Sequence, residues 1–274
     1  MPEPAAAAIA SQDGETPLPP RQVRILEMLQ GKGMVEVTAL AEALGVSAVT
    51  VRSDLDMLDR RQLLRRIRGG AMALRRARFE RPVSLLGQTF AAEKRRIGIL
   101  AAGMVRPGET VILDAGSTAL AMALALPADL RDVLVVTSGL DVALALQPHP
   151  GVSVIVSGGR LKKGGRNARA PSLVGPFGTP LLERLNTDCA YVCCAGIDAK
   201  RGFTNADFDE VEIKRAMIAG ARRVVMLGDS GKIGHVAGAR IARCDEVSAL
   251  VTDEGAQPSD VAALEAAGLQ VLRA

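Results

Sequence analysis

Apolar positions between residues 37 and 58 fall into two helical patterns separated by a glycine. Val37 to Leu44 forms a short apolar helix, and Gly45 can take the left-handed turn after it at no steric cost. Ser47 is placed to cap a second helix. In that helix Val51, Leu55 and Leu58 recur at i, i+4 and i+7 and share one buried face. Val49, Arg52, Ser53 and Asp56 take the opposite face. One apolar seam with a short polar outer face matches the major groove of B-DNA. The segment therefore predicts a helix-turn-helix, although a plain helical hairpin inside a core would share its turn. The flanks separate the two. Two short runs surround Arg68-Gly69-Gly70 within Leu63 to Leu74, and Gly-Gly suits a tight hairpin, here a basic β-wing. Ser47, Val49, Thr50, Arg52 and Ser53 on the helix, with Arg66 and Arg68 on the wing, are the candidate contacts to double-stranded DNA.

From Ala91 onward the pattern alternates helix and strand. Helices are predicted at Ala91 to Met104, Ala119 to Leu126, Leu140 to Leu146, Phe208 to Ala221 and Ser259 to Ala267. Strands are predicted at Thr110 to Asp114, Val133 to Thr137, Val152 to Val156, Asp188 to Gly196, Val224 to Leu227, Ser248 to Thr252 and Gln270 to Leu272. Short, continuously apolar strands separated by helices predict a mainly parallel sheet covered on both faces. The fold class is α/β: an N-terminal winged helix-turn-helix domain plus a C-terminal mainly parallel α/β domain. The expected organisation is a disordered, Ala/Pro-rich tail at 1–20, the winged domain at 21–77, a linker at 78–90 broken by Pro82, and an effector-binding domain at 91–274.

Charge sharpens the picture. Residues 21–81 hold 13 Lys and Arg against 7 Asp and Glu, whereas residues 82–274 hold 21 against 20. The positive excess is thus confined to the segment that would meet phosphates. Aromatic residues are 2% of the chain, with one Tyr and no Trp, so stacking on single-stranded bases is not indicated. No apolar run reaches membrane-spanning length and no secretory signal is evident, so a cytoplasmic protein without a membrane partner is expected. Cys189, Cys193, Cys194 and Cys244 form no C-x-x-C pair, and His149 and His235 lie far from them in sequence. Small buried apolar side chains are the better account than a metal or redox site, and free thiols fit a reducing compartment. No metal and no cofactor is expected.

In doubly covered parallel sheets, ligands bind beyond the carboxyl ends of the strands. Those ends are polar here. The first carries Asp114, Gly116, Ser117 and Thr118 into a helix start, where backbone N–H groups and hydroxyls favour an anion. The second carries Thr137 and Ser138. The third carries Gly158 and Gly159, with Lys162, Lys163 and Arg166 nearby. A later one carries Asp229 and Lys232. Each alone is an ordinary turn. Four ends with the same chemistry suit a polyhydroxylated, phosphorylated ligand, with Lys214 as a further cation unless it only pairs with Glu210 at the surface. Neither a G-x-x-x-x-G-K-[ST] loop nor a G-x-G-x-x-G turn is present, so nucleotide chemistry is not indicated.

Residues 21–81 resemble the winged helix-turn-helix of the DeoR family of bacterial transcriptional regulators. The resemblance rests on Gly45-Val46-Ser47, Thr50-Val51-Arg52-Ser53-Asp54-Leu55 and Leu64-Arg65-Arg66-Ile67-Arg68-Gly69-Gly70; Ser53 stands where the family has a second Arg. Residues 91–252 resemble the family's effector domain through Glu93-Lys94-Arg95, Leu113 to Thr118, Val136-Thr137-Ser138, Gly158 to Leu161, Ser172 to Pro176, Gly196-Ile197-Asp198, Gly202-Phe203-Thr204, Glu210, Lys214 to Met217 and Asp229 to Lys232. Ser138-Gly139 and Thr204-Asn205-Ala206-Asp207 depart from its usual sequence. The resemblance implies a fold akin to ribose-5-phosphate isomerase, used to sense phosphorylated sugars. The expected function is a DNA-binding regulator, a repressor of carbohydrate-metabolism genes, assembled as a homo-oligomer. The alternative is a sugar-phosphate isomerase with an appended DNA module, using Asp114, Asp198 and Lys214 as acid and base groups.

Overall fold

The computed structural model describes residues 18–60, 63–72, 90–162 and 171–274. The expected linker and the cations Lys163 and Arg166 lie outside them, apart from Phe90 at the linker's end. At the N-terminus, α1 (Pro20–Lys32) opens on a proline, whose missing N–H costs nothing in a first turn. Leu18, assigned to the tail, is buried in the first core. α2 (Val37–Leu44) ends at Gly45 in the left-handed region, φ 64°, and the Val46 N–H returns to the Ala41 carbonyl at 3.1 Å. α3 (Ala48–Arg60) follows, with the Thr50 N–H donating to Ser47 Oγ at 3.1 Å. Val51, Leu55 and Leu58 close the core against Ile25, Leu29 and Leu40.

The wing is larger than its hairpin. β2 (Arg65–Ile67) and β3 (Gly70–Met72) pair across Arg68-Gly69, and β3 also pairs antiparallel with β1 (Met34–Glu36). β1 is too short to leave a period in the sequence. Gly70 is required by this third strand: a Cβ there would sit 2.1 Å from the Val35 carbonyl oxygen.

The second unit begins with α4 (Ala91–Ala102). Its sheet has seven strands, and every neighbouring pair is parallel. The strands are β4 (Thr110–Leu113), β5 (Val133–Thr137), β6 (Val152–Val156), β9 (Thr187–Cys193), β12 (Ala221–Leu227), β14 (Ala249–Thr252) and β15 (Gln270–Arg273). The helices are α5 (Ser117–Leu124), α6 (Leu140–Leu146), α7 (Thr179–Leu182), α8 (Phe208–Ala219) and α9 (Pro258–Ala266). Alternate strand residues serve opposite faces, as the pleat requires. Val111, Leu113, Tyr191 and Leu227 join α4, α5 and α6, whereas Ile112, Val192 and Met226 join α8 and α9. All four cysteines are free and buried. β7 (Arg160–Leu161) with β8 (Leu173–Val174), and β10 (Gly196–Asp198) with β11 (Gly202–Asn205) and β13 (Ala239–Ala242), add small antiparallel sheets that the periodicity does not predict.

Chain order runs outward from β4 through β5 to β6 on one side, and from β9 through β12 and β14 to β15 on the other. The reversal between β4 and β9 is a topological switch point, and a crevice at the strands' carboxyl ends belongs there.

Candidate nucleic-acid interface and strand-end site

On α3 the residues off the core seam point outward. Val49 is 71% exposed, and Ser47, Arg52, Ser53 and Asp56 are exposed, with Thr50 half-buried. Arg68 is exposed at the tip of the wing. Arg66 is different: its Nε lies 2.9 Å from Asp56 Oδ1, and its guanidinium donates to the Gly70 carbonyl at 3.1 Å. It braces the wing against α3. The helix is oriented from behind by Asp54, which is buried and accepts from Arg21 Nε at 2.5 Å and Gln22 Nε2 at 2.9 Å. Burial alone would raise the Asp54 carboxyl, but the bonds from Arg21 and Gln22 hold it below the usual range.

At the switch point, Asp114 follows β4 and is almost wholly buried. Its Oδ1 accepts from the Ala115 N–H at 2.8 Å. Its Oδ2 accepts from the Cys193 N–H at 2.8 Å, and also from Lys214 Nζ, one hundred residues away on α8. Its own N–H donates to the Tyr191 carbonyl at 3.0 Å. Lys214 therefore points into the strand ends and not to solvent. Burial would lower its pKa, but Asp114 and then Glu210 raise it. Glu210 accepts from Lys162 at 2.7 Å and from Asn205 Nδ2 at 2.6 Å. These pairings, and not a surface ion pair with Lys214, position it. Burial opposes its ionisation, but Lys214 and Lys162 hold its pKa below the usual range.

The neighbouring strand ends supply the rest. Gly116 caps α5 at φ 121°, and Thr118 is buried while Ser117 is half-buried. Thr137 Oγ1 accepts from the Gly139 N–H at 3.0 Å, and the Ser138 carbonyl accepts from the Leu173 N–H at 2.8 Å. Gly158 and Gly159 both have positive φ, and a Cβ on Gly159 would meet the Val174 carbonyl at 2.8 Å. They shape the β6–β7 turn. Beyond β12, Asp229 precedes a 3-10 turn, Ser230–Lys232, and Lys232 Nζ lies 3.7 Å from Asp229 Oδ2. Asp229 Oδ1 is buried and has no hydrogen-bond partner among the described residues. Asp253, after β14, holds the turn by accepting from Ser230 N and Ser230 Oγ, each at 2.7 Å. Lys94, on α4, is 4% exposed. Burial lowers its pKa to about 8; Asp229 pulls it back up and Lys232 pushes it further down. Buried Lys94 and Lys214 and half-buried Lys232 thus meet around Asp114, Asp229 and Cys193. Among the described residues no cluster of His, Cys, Asp and Glu could hold a metal.

A family model described as the DeoR-like helix-turn-helix domain matches residues 21–77, and one described as the DeoR C-terminal sensor domain matches residues 89–254. The chain belongs to the DeoR family. Its DeoR relatives include transcriptional repressor AccR of Agrobacterium fabrum, 33% identical over 237 residues, which are 86% of this chain and 89% of that one. The uncharacterised HTH-type transcriptional regulator YulB of Bacillus subtilis is 31% identical over 89% of this chain and 92% of its own. Among solved structures, ribose 5-phosphate isomerase A of Methanocaldococcus jannaschii is similar over 53% of this chain and 55% of that one, at 13% identity and a TM-score of 0.38. As a DeoR protein the chain is a DNA-binding transcriptional regulator.

Sequence reasoning named Asp114, Gly116, Ser117, Thr118, Thr137, Ser138, Gly158, Gly159, Lys214, Asp229 and Lys232 for the strand ends. It missed Lys94, Asn205, Asp253 and the role of Glu210. Lys94 left one usable signal: with Ile97 and Ala101 it falls on the apolar seam of its helix, where a lysine is out of place.

Proposed function

We propose that this DeoR regulator is a repressor of carbohydrate-metabolism genes, released from or fixed on a double-stranded operator by a phosphorylated sugar at the strand ends of its sensor domain. The observation that carries the effector reading is a buried site with three lysines and one idle carboxylate oxygen. An anion answers the ammonium of Lys94, which burial and, to a lesser degree, Lys232 leave depressed to about 8, and a ligand hydroxyl answers Asp229 Oδ1. Ser117, Thr118 and the amides at the start of α5 take the phosphate, with Thr137, Ser138, Gly158 and Gly159 shaping the wall. Lys214 and Lys232 supply charge. Asp114 has both oxygens engaged by backbone N–H groups and Lys214, which favours a positioning role over that of an isomerase base. On the DNA side, Ser47, Val49, Thr50, Arg52 and Ser53 read the groove and Arg68 meets the backbone, with Arg66 holding the wing. Free buried thiols and regulator relatives support a cytoplasmic location.

The test is duplex binding as a function of salt. Affinity should fall about tenfold or more between about 50 and 200 mM salt. Arg52→Ala should lose about 1–3 kcal/mol of discrimination between selected and random duplex, and Arg68→Ala should weaken both evenly. Salt-independent binding, or two variants indistinguishable from the parent, would overturn the docking. Turnover of pentose or hexose phosphates by the purified chain would restore the enzyme reading.

A further inference from the structure

The two units meet beside the strand-end site. α1 of the winged unit packs against the 3-10 turn Ser230–Lys232, the turn that carries Lys232 and follows Asp229. Glu27 on α1 accepts a hydrogen bond from the Phe90 N–H at 3.0 Å. Phe90 is the residue that caps α4, so a carboxylate from the DNA-reading unit satisfies an open N–H at the start of the sensor unit's first helix. Phe90 holds φ 55°, a left-handed conformation uncommon for a bulky side chain. Its ring lies over Gly231: a Cβ added there would come within 2.9 Å of ring carbons Cε2 and Cζ. One turn along α4, the Lys94 N–H donates to the Phe90 carbonyl, and the Lys94 side chain feels both Asp229 and Glu27.

Glu27 also pairs with Arg24 at 3.1 Å, an i,i+3 pair whose arginine is 64% exposed. Solvent screens such a pair, while the Glu27 carboxylate, 16% exposed, faces the sensor unit. From the other side the turn is held to the sheet by Asp253. A displacement of Asp229 or Lys232 by a ligand therefore reaches Gly231, then the Phe90 ring, then Glu27 and α1.

We propose that Glu27 is a positioning residue that, with Phe90 and Gly231, couples the strand-end site to the DNA-reading unit. The coupling rests on the regulator reading, and linkage makes it reciprocal: duplex bound at α3 must alter the turn at Ser230–Lys232. The reciprocal direction can be read without knowing the effector. A duplex is selected from a random pool by the full chain, and hydrogen exchange is followed in residues 228–234 and 90–95 with and without it. In the parent, exchange in the turn should change about fivefold, the lower end of ordinary coupling between sites. Glu27→Ala should bind the duplex but leave exchange in the turn within about 1.5-fold of the free protein, far below ordinary coupling. Glu27→Gln, which keeps an acceptor for the Phe90 N–H, should retain most of the response. Gly231→Ala, which lifts the ring from the opposite side, should lose it as Glu27→Ala does, and so covers a failure of that variant to fold. A parent whose turn ignores the duplex, or a Glu27→Ala protein that responds like the parent, overturns the coupling. Failure to select any duplex would instead strike the regulator reading itself.

Discussion

Lys94 shows how one residue can carry a charge against the interests of the fold. Its ammonium is buried near a second lysine, and burial outweighs the attraction of Asp229, so its pKa stands at about 8 against the ordinary 10.5. Between those values the unfolded chain binds the extra proton and the native protein does not. This residue's contribution to stability therefore rises with pH from about 8 to 10.5 and is unfavourable below. Lys94→Met keeps the length of the side chain and removes the charge. It should raise the melting temperature at pH 7 by about 2–4 °C, the shift of roughly 1 kcal/mol in a domain of this size. The advantage should shrink as pH approaches 10.5. Melting curves of both proteins across pH 7–10 check this, and an advantage independent of pH would place the gain in packing instead.

At the scale of elements, the wing depends on a contact between backbones. Gly70→Ala drives a methyl group into the Val35 carbonyl, so β3 must separate from β1. The cost should be about 1–3 kcal/mol, the usual range for overpacking. It should appear in urea as earlier loss of exchange protection in residues 20–60, with the 110–252 strands unaffected; equal protection in parent and variant would refute it. The same wing shows what the sequence makes legible. α2, α3, β5, α6 and β6 stand where their periodicity puts them, because each buries a regular face by itself. β1, β7, β8, β10, β11 and β13 have only two to four residues, too few to show an alternation, so no local pattern marks them. β12 starts at Ala221, three residues earlier than its apolar run, because Arg222 and Arg223 extend it at a polar end. In the strand-end site, the residues bound to a strand end were visible as turn chemistry. Lys94, Asn205 and Glu210 were not, since their roles come from partners on other elements.

At the scale of the whole molecule, each chain carries one matched helix-turn-helix domain, and one such module reads few base pairs. A homo-oligomer, a dimer or higher, is expected to supply the second. Phe177, Phe208 and Leu144 are each more than two-thirds exposed on the sensor unit and give apolar surface for it. Sedimentation at micromolar concentration should show at least a dimer, and a monomer both with and without duplex would contradict this. The bond between Asp114 and Tyr191 across β4 and β9 has a practical consequence of another kind. Tyr191 is the chain's only tyrosine and there is no tryptophan. Its ring is fully buried, in the strand that runs into the switch point. Ultraviolet emission from this protein therefore originates almost entirely at one address, one strand away from Asp114. The unmodified molecule carries its own optical probe, and a titration with any candidate metabolite can be watched without adding a label.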